Sequence, residues 1–266
     1  MVRDELDLHE WIAYQFAIGV EHVHLFDNES VTPVAKRFRA WINDGKVSVE
    51  SIRGRKVQSR AYQRYVEARF SKWVAFVDAD EFILPYDTDD VKEILCEFED
   101  YGGLVVSWQV FGSNGYIARP GGLVIESYTK TGTNDFDLVN HLSDRRPVCH
   151  QYKTIAQPEF IKRVVTPHYF TYRSGRSAVK TNGALVSPTM LTVPCVERIA
   201  INHYMNKSAE DFRLKQERRG GESGKPRTEA AWLDIENGSN QIEDTRILRF
   251  VPEVKKWLGS QGVMCP

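Results

Sequence analysis

Two aspartates, Asp78 and Asp80, stand two residues apart directly after the apolar run Trp73-Val74-Ala75-Phe76-Val77. On an extended backbone successive side chains alternate, so both carboxylates point to one side and form a single acidic edge. Two hard oxygen donors with room for water suit Mg²⁺ or Mn²⁺, which can bridge a diphosphate and neutralise its charge as it departs. The chemistry implied is transfer of a group from a nucleotide diphosphate. A bare Asp-x-Asp at a strand end is more often a turn cap, so its surroundings have to decide. Here Glu81-Phe82 follow, Trp73 and Phe76 precede, and a second acidic strand end stands earlier at Asp27-Asn28 with Ser30.

The elements that must position these groups follow a βα rhythm. Leu8, Trp11, Ile12, Phe16 and Ile18 recur at helical spacing from Leu6 to Ile18, and Gly19 stops the helix. His22 to Phe26 reads as a strand ending at Asp27, and Thr32-Pro33 opens a helix that Gly45 closes. Val47 to Ile52 is the next strand, and Ser59 to Phe70 carries Tyr62, Tyr65, Val66 and Phe70 on one helical face. The unbroken apolar run 73–77 suits a central strand buried on both faces. Asp87 or Thr88 caps a helix reaching Glu99, and Leu104 to Val110 is a strand. This alternation predicts a doubly wound, Rossmann-like α/β sheet, with ligands outside the carboxyl ends of its strands, where the aspartates lie. After Gly112 the pattern loosens into site-shaping loops, with a short strand at Leu123 to Ser127. A polar helix from Ser208 to Arg219 and a terminal helix from Thr245 to Leu258, interrupted at Pro252, complete the chain.

Composition narrows the class. The 42% hydrophobic content of 266 residues fills a proper core, and 35 basic against 36 acidic residues give no field that favours nucleic acid or anionic lipid. No apolar run approaches the roughly 20 residues of a membrane span, so the chain as given is expected to be soluble. Cys96, Cys149, Cys195 and Cys265 show no zinc or redox spacing.

An ordered series of motifs resembles glycosyltransferase family 92 and its family-2-like relatives, which have the GT-A fold. The series begins with Glu10-Trp11-Ile12, Tyr14, Gly19, Phe26-Asp27-Asn28-Glu29-Ser30, Gln58, Ala61-Tyr62 and the segment Trp73 to Phe82. It continues through Phe111-Gly112-Ser113-Asn114-Gly115, Lys153, Pro167-His168-Tyr169, Asn202-His203-Tyr204, Lys207-Ser208, Lys215 and Arg219-Gly220. The resemblance implies a mainly parallel sheet flanked by helices in one domain over 1–266. Residues 1–110 would form the nucleotide-binding half, and 111–266 the acceptor-binding half with the C-terminal helices. It implies transfer of a hexose, galactose in particular, from a UDP-sugar to a glycan or glycoconjugate hydroxyl, with inversion and Mn²⁺ or Mg²⁺. The family opens with a hydrophobic strand ahead of the segment matched by Arg3-Asp4-Glu5, whereas this sequence opens at Met1-Val2. The first strand is thus missing or truncated, or another segment takes its place. A eukaryotic full-length relative would sit in the Golgi lumen on an N-terminal anchor absent here, and otherwise the chain would be cytoplasmic.

Site roles follow from the same resemblance. Asp78 and Asp80 would hold the metal, or one of them the donor ribose. Asp27 would contact uracil or ribose, or else cap its turn, and Glu5 would line the nucleotide pocket, or else cap a helix. Gln58 and Lys207 are assigned to the donor, Lys207 with Arg219 as countercharge to the diphosphate or as a solvated cation. A downstream histidine would add a metal or diphosphate ligand, His168 with His203 as the alternative, each also readable as a core histidine. An inverting transferase needs a base to deprotonate the acceptor hydroxyl. Glu126, Asp135, Asp137 and Glu159 are candidates, and Asp137, in a polar loop, is selected. Trp108, Phe111 and Tyr116 are candidates for stacking on a sugar, Trp108 more readily as core. Two other classes compete. A haloacid-dehalogenase-like phosphatase would use an aspartate pair covalently, but Phe82 occupies the place of its Thr or Val. An inactive sugar-nucleotide-binding or interaction module would bind without turnover.

Overall fold

The computed structural model describes residues 1–133, 139–140, 146–189, 191–217 and 228–263. Helix α1 (Leu8–Ala17) is buried along nearly its whole length. Its Trp11 indole donates to the Glu81 carbonyl at 2.8 Å and its Tyr14 hydroxyl to the Ile83 carbonyl at 2.9 Å. Gly19 follows with φ +88°, and a Cβ there would stand 2.2 Å from Asp90 Oδ1, so the residue must be glycine. Strand β1 (Val23–Asp27) pairs in parallel with β2 (Val47–Ser51), from Val23 opposite Val47 to Asp27 opposite Ser51. Between them run α2 (Val34–Arg37) and α3 (Arg39–Asn43), two short helices parted at Phe38, in place of the single helix read from Thr32 to Gly45.

Next come α4 (Gln58–Ala68), β3 (Val74–Ala75), β4 (Glu81–Pro85), α5 (Val91–Leu95) and β5 (Gly103–Val110). Asp90, rather than Asp87 or Thr88, caps α5, accepting from the Lys92 N–H at 2.9 Å. Beyond Gly112 lie α6 (Val124–Ser127), β6 (Lys130–Thr131), β7 (Val139–Asn140), β8 (Arg146–Pro147) and β9 (Tyr152–Ala156). They are followed by β10 (Ile161–Val164), β11 (Phe170–Tyr172), β12 (Ala178–Val179), β13 (Leu185–Val186) and β14 (Ile199–His203). The chain then forms α7 (Ala209–Glu217), α8 (Glu229–Ser239), β15 (Ile242–Glu243) and α9 (Val251–Ser260). Pro252 does not interrupt the terminal helix. It sits in the first turn of α9, where its missing N–H costs nothing, after a 3₁₀ turn over Arg246–Phe250.

The fold is α/β, but the central sheet is mixed rather than mainly parallel. Its seven strands run β13-β12-β5-β14-β4, with β9 joining β5 to β3. β5 is parallel to β12 and β14, while β4–β14, β5–β9, β3–β9 and β12–β13 are antiparallel. The cause lies at the aspartates: the Glu81 N–H closes a turn on the Asp78 carbonyl at 3.0 Å, and the chain doubles back into β4. The run 73–77 is therefore not a central strand. Among the described residues only Val74–Ala75 pairs, and on one side alone, with β9. The core places α1 against β4 and α9, with Tyr14 edge-on to Phe82 and Phe250 and Phe16 beside Trp257. Among the described residues no helix is long and apolar enough to cross a membrane.

Residues 124–127 are a helical turn and not the expected strand, and the reason is distant in sequence. The buried Glu10 carboxylate accepts the Val124 and Ile125 N–H groups at 2.7 and 3.0 Å, satisfying donors that a short helix leaves open. Burial raises this carboxyl to about 7, against the pull of those two N–H groups and Lys207. Between its ordinary value near 4.5 and about 7 the folded chain keeps a proton that the unfolded chain has lost. The Glu10 contribution is thus fully present at low pH and is lost as pH rises through 7, a span on the order of 3 kcal/mol. Urea unfolding between pH 5 and 7.5 should show stability falling with pH, and Glu10→Gln should flatten part of that slope.

Candidate functional site

Asp78 and Asp80 flank the turn that ends the β3 run. Asp78 keeps 42% of its side-chain exposure, while Asp80 is 19% exposed. The turn separates their partners. Lys153, on β9, reaches Asp78 Oδ2 at 3.0 Å, and Gln58 Nε2, at the start of α4, lies 3.4 Å from Oδ1. Lys215, on α7, reaches Asp80 Oδ2 at 2.7 Å and also donates to the Met205 carbonyl at 2.8 Å. On the other Asp80 oxygen, His203 Nε2 at the end of β14 stands 3.6 Å away. The backbone is fixed as well, with the Tyr204 N–H on the Asp80 carbonyl at 2.9 Å and the Asp78 N–H on Glu81 Oε2 at 2.8 Å.

Burial and charge oppose one another across the cluster. Burial pushes both aspartates up, but Lys153 and the amino terminus bring Asp78 below its ordinary value, and Lys215 with His203 holds Asp80 well below. Glu81 is completely buried; burial raises its carboxyl to about 7, while Lys153 at 3.3 Å pulls the other way. Burial lowers the Lys153 ammonium, but Asp78 and Glu81 overcome it and leave it raised. Trp108 lies between two histidines, its ring 4.3 Å from His203 and 5.4 Å from His168. His168 is bound through Nδ1 to the Tyr152 carbonyl at 2.8 Å, and burial, helped by Lys153, pushes it down to about 3. It is a neutral imidazole at physiological pH. Three buried polar atoms in this group have no hydrogen-bond partner among the described residues: Glu81 Oε1, His203 Nδ1 and Trp108 Nε1.

The remaining expected site residues divide. Gln58 joins the cluster. Both Asp27 oxygens accept backbone N–H groups, from Ser30 at 3.1 Å and Val34 at 3.0 Å, which is the work of a turn cap. Lys207 is buried with its ammonium on Asp7, within the electrostatic reach of Asp80 and Glu5. Burial lowers its pKa against those carboxylates. Asp137, Asp135 and Arg219 lie outside the described residues. Glu126 is paired with Lys255 at 2.7 Å, and Glu159 is exposed. Trp108 and Phe111 are buried, whereas Tyr116 is 41% exposed.

Comparison with known proteins decides the family. The model of glycosyltransferase family 92 matches residues 3–212, a span that holds the whole acidic turn, Lys153, both histidines and Lys207. The chain belongs to glycosyltransferase family 92. A family 92 protein from Ricinus communis is 26% identical over 231 residues, 80% of this chain and 35% of that relative. The chain thus spans about a third of the curated relative's length. An apo UDP-glucose pyrophosphorylase structure aligns with 95% of this chain and 86% of its own at 10% identity, but with a TM-score of 0.25. That likeness carries no argument.

In this family 92 chain, no group of three or more His, Cys, Asp or Glu converges on one point among the described residues. A site of Mg²⁺ or Mn²⁺ type needs only one or two carboxylates when substrate phosphates complete the shell. Asp78 and Asp80 fit that requirement, and their pairing with two ammonium groups shows that both already stand as anions stabilised by positive charge. Sequence reasoning matched Lys153 and Lys215 to motifs but gave them no role, and it missed Glu81 as a buried acid. A signal for Lys153 was present: it interrupts the strand Tyr152-Lys153-Thr154-Ile155-Ala156, buried throughout. A charge in such a place requires a partner.

Removing the Lys153 ammonium leaves the fully buried Glu81 carboxyl and the Asp78 carboxylate without their shared countercharge. Lys153→Met should therefore cost about 3–5 kcal/mol of unfolding free energy in a urea titration. Glu81→Gln in the same chain should recover part of that loss, and a single-variant cost under about 1 kcal/mol would contradict the pairing.

Proposed function

We propose that the Asp78–Asp80 turn is the diphosphate end of a UDP-sugar site, in a glycosyltransferase of GT-A type that moves a hexose to a glycan hydroxyl. The observation that carries the proposal is convergence: two low-pKa carboxylates, two ammonium groups, two imidazoles and a tryptophan from five different elements meet at one turn within a family 92 chain. Galactose as the transferred sugar and inversion at the anomeric carbon follow the family resemblance. On the same basis the first 110 residues would bind the nucleotide and the remainder the acceptor.

Each residue then has a physical task. A divalent ion held by Asp78 and Asp80 would supply Lewis-acid neutralisation of the departing diphosphate. Lys215 and Lys153 fix the two carboxylates in place and keep them ionised at all physiological pH. The unpartnered Nδ1 of His203 and Nε1 of Trp108 are buried polar atoms available to a bound donor. Gln58, hydrogen-bonded to the Tyr62 hydroxyl at 2.8 Å, aims its remaining donor at Asp78 and supports the donor side of the turn. Inverting displacement also needs a base on the acceptor side, and Asp137 is proposed for it.

The test is release of UDP across a panel of UDP-sugars and glycan acceptors, with Mn²⁺, Mg²⁺ or EDTA. Asp80→Asn should lower kcat by about 10²–10³-fold, the scale for loss of one preorganised charge-stabilising group. Asp137→Asn should be comparably damaging if it is the base. Nucleotide binding without turnover would indicate the inactive module. Absence of a thermal shift with every nucleotide sugar would refute the site itself.

A further inference from the structure

The segment Arg53-Gly54-Arg55-Lys56, with Arg60 beyond it, places four cations within eight residues. All four side chains are exposed, and none is held by an ion pair or hydrogen bond among the described residues. Two acids of the neighbouring strands cannot serve them, because Glu29 is engaged by Arg3 and Glu50 by Arg64. Exposed like charges this close repel one another and contribute nothing to the fold. In a chain of net charge -1 they make a strictly local positive field.

The loop joins β2 to α4 and is tied to the site at both ends. At its start the Ile52 N–H donates to the Asp27 carbonyl at 2.9 Å, and Asn28 Nδ2 donates to the Gly54 carbonyl at 3.1 Å. At its end Gln58 Nε2 lies 3.4 Å from Asp78 Oδ1. Gly54 at φ +107° and Lys56 at φ +54° are left-handed, so the loop bends rather than extends. Three residues span at most about 11 Å even when extended, so the Arg55 backbone stays within about one Debye length of Gln58 at 0.1 M salt. Arg60 stands in the first turn of α4. The acidic turn itself offers an approaching anion no surplus of positive charge. Lys153 matches Asp78 and Lys215 matches Asp80, one for one, and Glu81 adds no cation. A nucleoside diphosphate carries a charge on each phosphate, so attraction at a distance has to come from beyond the turn.

We propose that Arg53, Arg55, Lys56 and Arg60 form an electrostatic guide that draws a nucleoside diphosphate onto the Asp78–Asp80 turn. The inference rests on the donor reading and deepens it, by giving a loop outside the turn control over how fast the donor arrives. The cations act through their summed field and not through a fixed contact. Exposed side chains that nothing holds have no set geometry for bonding a phosphate, but a field needs none. The guide therefore governs association and leaves the transfer step to the turn.

The test is stopped-flow association of UDP bearing a fluorescent N-methylanthraniloyl group, with Mn²⁺ present, at about 20 mM and about 500 mM salt. The chain is compared with a variant carrying Arg53→Gln, Arg55→Gln, Lys56→Gln and Arg60→Gln together. Its Tm should be unchanged, because exposed unpaired charges contribute little to stability. At low salt the variant should associate about tenfold more slowly, the lower end of the range for steering by charge, with koff unaltered. At high salt the two should associate at the same rate. Equal rates at low salt, with UDP bound by both, would overturn the guide alone. So would a loss carried by koff that persists at high salt, which would make the loop a direct contact. Failure of the unaltered chain to bind UDP at all would refute the donor reading, and the guide with it.

Discussion

Two buried ammonium groups determine what the acidic turn can be. Carboxylates placed this close, one of them next to a fully buried glutamate, repel one another and lose hydration. Lys153 from β9 and Lys215 from α7 offset that cost, each reaching a different aspartate. The connectivity of the fold follows from the same requirement. β9 must run beside β3 to deliver Lys153 and β14 beside β4 to deliver His203, while α7 must return over the turn to deliver Lys215. The antiparallel strands that make the sheet mixed are thus also the ones that bring Lys153 and His203 to the turn.

The same arrangement leaves specific groups uncommitted. Glu81, His203 and Trp108 each hold a buried polar atom without a partner among the described residues, close to the paired carboxylates. Native proteins satisfy almost all such atoms, and under the proposed function these three are the ones a bound donor would engage. Asp27 presents the opposite case. Both its oxygens are spent on backbone N–H groups, and its visible task is to shape the loop after β1.

How much could be read from sequence depended on whether the cause was local. Helix α1, strands β1, β2 and β5 and the acidic turn were legible because their apolar spacing and stop signals lie within each segment. The run 73–77 misled because an apolar stretch records burial and not pairing, and here half of it pairs with nothing described. Residues 124–127 misled because Glu10, more than a hundred positions away, supplies the acceptors that make them helical. The site shows the same division. Asp78 and Asp80 were visible as a motif, whereas their lysines arrive from distant elements, and only Lys153, a cation inside a buried strand, carries a local signal.

The central claim is that the acidic turn and its lysines form one coupled unit, and the Asp80–Lys215 pair tests it most directly. Unfolding free energies of the chain, Asp80→Asn, Lys215→Met and the double variant complete a cycle in which unrelated losses cancel. A coupling energy of about 1–3 kcal/mol is predicted for a pair this close and this well buried. Strict additivity of the two substitutions would contradict the account.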